Sequence, residues 1–138
     1  MIVLDTNVLS ELTRPAPDPA VVRWLDAQPE LFTTATVLAE LVYGVTRLPA
    51  GRRRDLLERE IGELAEGGLA GRILPFDEHA AREYGAVVAA RESRGMPISQ
   101  ADAQIAAVCL STGAALATRN TGDFRELPLT LINPWEAR

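Results

Sequence analysis

Lysine is absent from this chain; all 14 basic residues are arginine. That excludes any mechanism built on a catalytic lysine, P-loop phosphate chemistry included. His79 and Cys109 are the sole residues of their kinds. A histidine-rich zinc site, a Cys/His finger and an intrachain disulfide are therefore excluded by count. Cys109 lies in the apolar run Ile105–Leu110, a setting for a buried small hydrophobe rather than a nucleophile, and a lone thiol fits a reducing compartment. No uncharged apolar run approaches the roughly 20 residues of a membrane span. Met1-Ile2-Val3-Leu4 meets Asp5 at once, with neither the basic lead-in nor the apolar core of a signal peptide. The expectation is a soluble, cytoplasmic protein with no membrane partner.

Arginine's forked guanidinium suits phosphate recognition, yet the formal net charge is −5. That balance is awkward for a nucleic-acid enzyme, because RNA binding draws on phosphate neutralisation. Either acid is concentrated at a metal site with arginine elsewhere, as in Arg52-Arg53-Arg54, or the protein does not touch RNA. A solvated helix start is the plainer reading of that arginine run.

Short apolar runs alternate with helical patterns. Ile2-Val3-Leu4, Leu31-Phe32-Thr33, Ile73–Phe76, Ala114–Ala117 and Leu129–Ile132 read as strands, the first of the doubly buried kind. Helices are expected from about residue 19 to 27, from a cap at Thr36 through Val45, over 50–66 up to Gly67-Gly68, over 77–94 up to Gly95, and from Ser99 to Leu110. Such alternation predicts a three-layer α/β/α sandwich around a mainly parallel sheet. No linker, repeat or low-complexity segment interrupts it, so residues 1–138 are expected to form a single domain.

Ligands of open parallel sheets bind beyond the carboxyl ends of the strands, which directs attention to the polar residues placed there. Asp5 ends the first strand; it is either an Asx turn or helix cap, or a ligand at the sheet's mouth. Glu40 has no basic neighbour at helical spacing, so it meets water, a distant arginine or a metal. Asp102 shares a face with Ile105, Ala106 and Cys109, but Ser99-Gln100-Ala101-Asp102 also reads as a capping box. Asp123 falls in the turn Thr118–Phe124, whose Asn, Gly and Asp are ordinary turn residues. Carboxylates converging from separate elements would repel one another until a hard cation such as Mg²⁺ or Mn²⁺ relieved the charge. Such a cation suits phosphodiester hydrolysis.

The same segments carry a family resemblance. Met1-Ile-Val-Leu-Asp-Thr-Asn-Val-Leu-Ser10, Thr36-Val-Leu-Ala-Glu-Leu-Val-Tyr-Gly44, Ser99-Gln-Ala-Asp-Ala-Gln-Ile-Ala-Ala107 and Ala117-Thr-Arg-Asn-Thr-Gly-Asp-Phe124 resemble the four motifs of PIN-domain ribonucleases, in order. Ile132-Asn-Pro-Trp135 is similar to the ending of the VapC and FitB-type toxins. The resemblance implies an Mg²⁺- or Mn²⁺-dependent endoribonuclease with Asp5 and Asp102 as metal ligands. Glu40 would complete the acidic pocket and Asp123 would supply a fourth acid. It also implies a homodimer, an RNA substrate, a small VapB-like antitoxin, and promoter DNA bound only through that antitoxin. Some relatives carry an acid where this chain has Asn120, which leaves the roles of Asn120 and Asp123 open. Thr6 and Thr118 would orient waters or ligands.

Two rivals stand beside this reading. A haloacid-dehalogenase-like phosphatase also begins with an acid after a strand, but it needs an acid at position 7 and a later lysine. A catalytically silent PIN-like module that only binds an antitoxin fits the net charge and Asn120 but not the retention of all four acids.

Overall fold

Ile2–Leu4 forms strand β1, with Val3 and Leu4 shut off from solvent. In this computed structural model, which describes residues 1–137, the chain turns straight into helix α1, Thr6–Leu12. Helix α2, Pro19–Asp26, opens with proline just inside its start, where the missing N–H is harmless, and Asp18 caps it. Strand β2, Thr33–Thr34, leads into α3, Ala35–Thr46. The α4 helix, Arg52–Glu63, is followed by a single π-helical turn, Leu64–Gly68. Then come β3, Ile73–Leu74, α5, Glu78–Ser93, α6, Gln100–Thr112, β4, Ala115–Ala117, and β5, Leu131–Ile132.

All strand pairings are parallel. β1 pairs with β4 (Leu4 opposite Ala117), β4 with β5, and β2 with β3. The two groups join where the Phe32 N–H donates to the Ile2 carbonyl and the Leu4 N–H donates to the Phe32 carbonyl. The buried Thr33 hydroxyl donates to the Leu4 carbonyl at 2.8 Å and reinforces that seam. The resulting order is β3-β2-β1-β4-β5. The chain moves outward from β1 to β2 and β3, then returns to β4 on the other side. The crevice at the carboxyl ends of β1 and β4 is therefore the topological switch point, where such sheets bind ligands.

The parallel α/β expectation holds, and the differences are local. The cap of α3 is Thr34 rather than Thr36: Thr34 is the last extended residue, and its hydroxyl accepts from the Val37 N–H. Thr36 instead donates to Gln104 across the gap to α6. Gly67-Gly68 does not stop α4; the helix widens into the π turn that contains both glycines. Strands β3 and β5 are shorter than the apolar runs suggest, because only the pairs directly opposite Thr33-Thr34 and Leu116-Ala117 are laddered. The seven residues of α1 hold too little periodicity to mark a helix in the sequence.

Helix α6 is the inner helix, with Ala103 and Ile105–Cys109 all buried. Cys109 is fully enclosed and its thiol is pushed up to about 12 by burial, so it is a core residue. Gly113 ends α6 in the left-handed region at φ 72°, and a Cβ there would meet nothing within 4 Å. Gly113→Ala should therefore cost only backbone strain, about 1 kcal/mol, measured as a shift in urea midpoint with an unchanged slope.

Candidate active site

Asp5 leaves β1 in an extended conformation and caps α1, its Oδ1 accepting from the Thr6 N–H at 2.8 Å. Its other oxygen, Oδ2, accepts from the Thr118 hydroxyl at 2.7 Å and from Asn7 Nδ2 at 3.2 Å. The Thr118 hydroxyl in turn accepts from Asn7 Nδ2 and from the Asn120 N–H, both at 3.1 Å. A hydroxyl has one hydrogen and two lone pairs. With both lone pairs engaged, its hydrogen must point at Asp5. Three donors thus converge on a carboxylate that is 4% exposed. Of its approximately four lone-pair sites, about one is left for a further partner.

Glu40 approaches from α3. Its Oε1 accepts from the Thr6 hydroxyl at 2.7 Å, so Thr6 holds both acids, Asp5 by its N–H and Glu40 by its hydroxyl. Thr6 and Glu40 also line a cavity of about 290 Å³ that runs between α1, α3 and α4 and has Arg53 among its walls. Asp102 stands in the first turn of α6, its N–H donating to the Ser99 hydroxyl at 3.1 Å. The cap and the acidic-cluster readings of Asp5 and Asp102 are thus compatible, because capping uses one bond and leaves the carboxylate in the crevice. Asp123 is exposed, in the 3₁₀ turn Thr121–Phe124 whose geometry Asn120 sets by accepting from the Asp123 N–H.

Two of the acids, Asp5 and Asp102, are held above the usual carboxylate range. Burial raises the Asp102 carboxyl to about 6, helped by the charges of Asp5, Asp123 and Glu40, against the hydrogen bond to Ser99. Burial also raises Asp5, opposed by its Thr118, Thr6 and Asn7 donors and assisted by the Glu40 charge. Among the described residues, no three acids stand close enough to form a ready-made chelating cage. The donor set is nevertheless all oxygen and anionic, with a partly free Asp5 and a half-buried Asp102. That matches Mg²⁺ or Mn²⁺, which take one or two carboxylates and keep waters.

Arg91 escaped the sequence reading. It is 5% exposed, and its guanidinium donates to the carbonyls of Met96 (2.8 Å), Asp123 (2.7 Å), Arg125 (3.2 Å) and Pro97 (3.5 Å). One side chain therefore ties the loop before α6, which delivers Asp102, to the turn that delivers Asp123. The signal was present: Arg91 continues the Ala80, Tyr84, Val87 stripe of α5 at helical spacing, where a core residue belongs.

Two outcomes follow from this geometry. Arg91→Met removes the donors that tie the two loops together and should lower stability by about 2 kcal/mol, read from urea unfolding. The raised carboxyls bind protons more readily in the fold than in the unfolded chain. The Asp102 contribution is therefore fully present below 3.8 and is lost as pH rises through about 6. Asp102→Asn should raise the Tm of metal-free protein near about pH 7.5 and leave it nearly unchanged near about pH 4, as thermal melts would show.

Residues 2–128 match the family model described as PIN domain. The chain is 44% identical over 138 residues to the VapC ribonuclease Y4jK of Sinorhizobium fredii, covering 99% of both chains. It is 39% identical over 137 residues to the toxin FitB of Neisseria gonorrhoeae, covering 98% of this chain and 99% of that one. The structure of FitAB bound to the IR36 DNA fragment superposes with a TM-score of 0.91 at 37% identity, covering 100% of this chain and 98% of that chain. An acid-lined switch point on a parallel sheet, matched along nearly its whole length by these proteins, places the chain in the PIN-domain family, with the VapC-type toxins.

Proposed function

We propose that this protein is a metal-dependent endoribonuclease, the toxin of a toxin–antitoxin pair, formed by residues 1–138 as a single cytoplasmic domain. What supports the reading is that Asp102 feels the charges of Asp5, Asp123 and Glu40, while Thr118 and Thr6 hold Asp5 and Glu40 beside the carboxyl ends of β1 and β4. Asp5 and Asp102 would hold Mg²⁺ or Mn²⁺, with Glu40 and Asp123 adding charge. A bound divalent cation supplies Lewis acidity toward a phosphoryl oxygen and offsets the carboxylate repulsion.

The chain's own residues do the positioning. Thr118 and Asn7 hold Asp5 Oδ2 as an acceptor, and the Thr6 N–H fixes the other oxygen. Thr6 holds Glu40 by its hydroxyl, which orients a second carboxylate as a proton acceptor beside the crevice. Arg91 sets the reach of Asp123 through the backbone.

An antitoxin partner is supported by the likeness to the FitAB complex on DNA. In this reading promoter DNA is met through the antitoxin, and the toxin forms a homodimer. A silent, antitoxin-binding module is the second reading, favoured by the net charge of −5.

Asp5→Asn should abolish metal-dependent cleavage of total RNA, a loss of at least about 100-fold, with an unchanged circular dichroism spectrum. Antitoxin-free protein would be assayed with Mn²⁺ or Mg²⁺ against EDTA. Cuts that survive in the folded variant would remove Asp5 from the site, and unaltered protein that neither cuts RNA nor binds Mn²⁺ would leave the silent module.

A further inference from the structure

We propose that Arg119, stacked on Trp135 at the carboxyl ends of β4 and β5, is the residue that receives an RNA phosphate and seats a single strand against the acidic crevice. The inference rests on the ribonuclease reading above and adds to it the substrate-binding side of the site.

An acidic crevice repels a polyanion, so something cationic must face the strand next to it. Arg119 follows Thr118 directly, and its N–H donates to Asn7 Oδ1 at 2.9 Å. Asn7 donates to Asp5, so the Arg119 backbone is fixed two hydrogen bonds from the central carboxylate. On the neighbouring strand the Thr118 N–H donates to the Ile132 carbonyl, which aligns the two strand ends. Asn133 Oδ1 accepts from the Trp135 N–H, and that turn presents the indole beside Arg119. The guanidinium carbon sits 5.0 Å from the indole centroid.

Stacking on an indole holds a guanidinium plane without consuming its N–H edges, which stay free for a bidentate phosphate contact. The charge is also available. Arg14, Arg54, Arg72, Arg82 and Arg94 are engaged by carboxylates, and Arg91 is buried on carbonyls. Among the described residues, no carboxylate lies within ion-pair distance of Arg119, and the residue is exposed. A strand crossing the sheet edge from β1 toward β5 would then place one phosphate at the acids and a neighbouring one on Arg119.

The test is the anisotropy of a fluorescein-labelled oligouridylate titrated with antitoxin-free protein in Mg²⁺ across a KCl series, beside melting curves. Arg119→Gln should weaken binding several-fold and flatten the log affinity against log salt slope by about 0.7, the value for one phosphate contact on a single strand. Arg119→Lys should restore the slope and only part of the affinity, since it keeps the charge and loses the stacked fork. Trp135→Phe, which keeps a ring, should fall between. A merely structural pair would lower the Tm of Arg119→Gln and leave the slope where it was, and that result overturns the proposal. Unaltered protein that cuts total RNA but gives no anisotropy change with the oligomer also overturns it, and leaves the ribonuclease reading intact. Failure to cut any RNA would instead strike the underlying function.

Discussion

Repulsion among carboxylates in a partly dry crevice is the constraint around which this molecule is arranged. Two acids close together in low dielectric lose more than surface acids do, because water no longer screens them. The chain answers with donors. Asp5 is met by a backbone N–H, a threonine hydroxyl and an amide nitrogen, and Glu40 by a second threonine hydroxyl. Asp102 is nevertheless pushed to about 6, first by its burial and then by the charges of Asp5, Asp123 and Glu40. The donors hold the acidic crevice in one geometry, where the remaining like charge is relieved by protonation or by a cation.

The parallel sheet makes the gathering possible. Because β1 lies between β2 and β4, the segments leaving β1 and β4 at their carboxyl ends must diverge, and the space between them is the crevice. Asp5 and Thr118 are the first residues beyond those two strands, and they close the gap with a 2.7 Å bond between residues far apart in sequence. Helices α3 and α6 then each bring an acid from their own N-terminal half. Every acid is thus carried on an element whose position the core fixes, except Asp123, whose turn has no apolar anchor but Phe124. Arg91 supplies the missing rigidity from beneath by gripping the Asp123 carbonyl.

Local chemistry explains which of these features could be read from the residues alone. The strands at Ile2–Leu4 and Ala115–Ala117 were legible because a run buried on both faces has no polar alternation to confuse it. The α6 helix was legible at both ends, with Ser99 capping it and Gly113 in the left-handed region. Asp5, Glu40, Asp102 and Asp123 were legible as candidates from position and family motif, but their mutual approach is a property of strand order, which no local pattern encodes. Asn7 and Thr118 could not be paired by inspection, for their bond spans the sheet. Arg91 was hidden for a different reason. A charged residue on an apolar stripe is ordinarily read as a snorkelling surface arginine, and only the carbonyls of two distant loops reveal why it is inside.

The charge balance now has a spatial meaning. A net charge of −5 would oppose RNA if the charge were spread evenly. Instead, among the described residues five arginines are paired locally, as Arg54 is with Glu58 and Arg94 with Glu126, and such pairs contribute little to long-range attraction. What remains for a phosphate is set by which of the guanidinium groups without an acid are also held in place. Arg119 on Trp135 meets both conditions beside the crevice. An enzyme organised this way would bind RNA weakly in general and well only where a strand spans both the acids and the stacked arginine. Its selectivity would then come from strand path rather than overall charge, and its affinity would fall with salt less steeply than that of a basic RNA-binding surface.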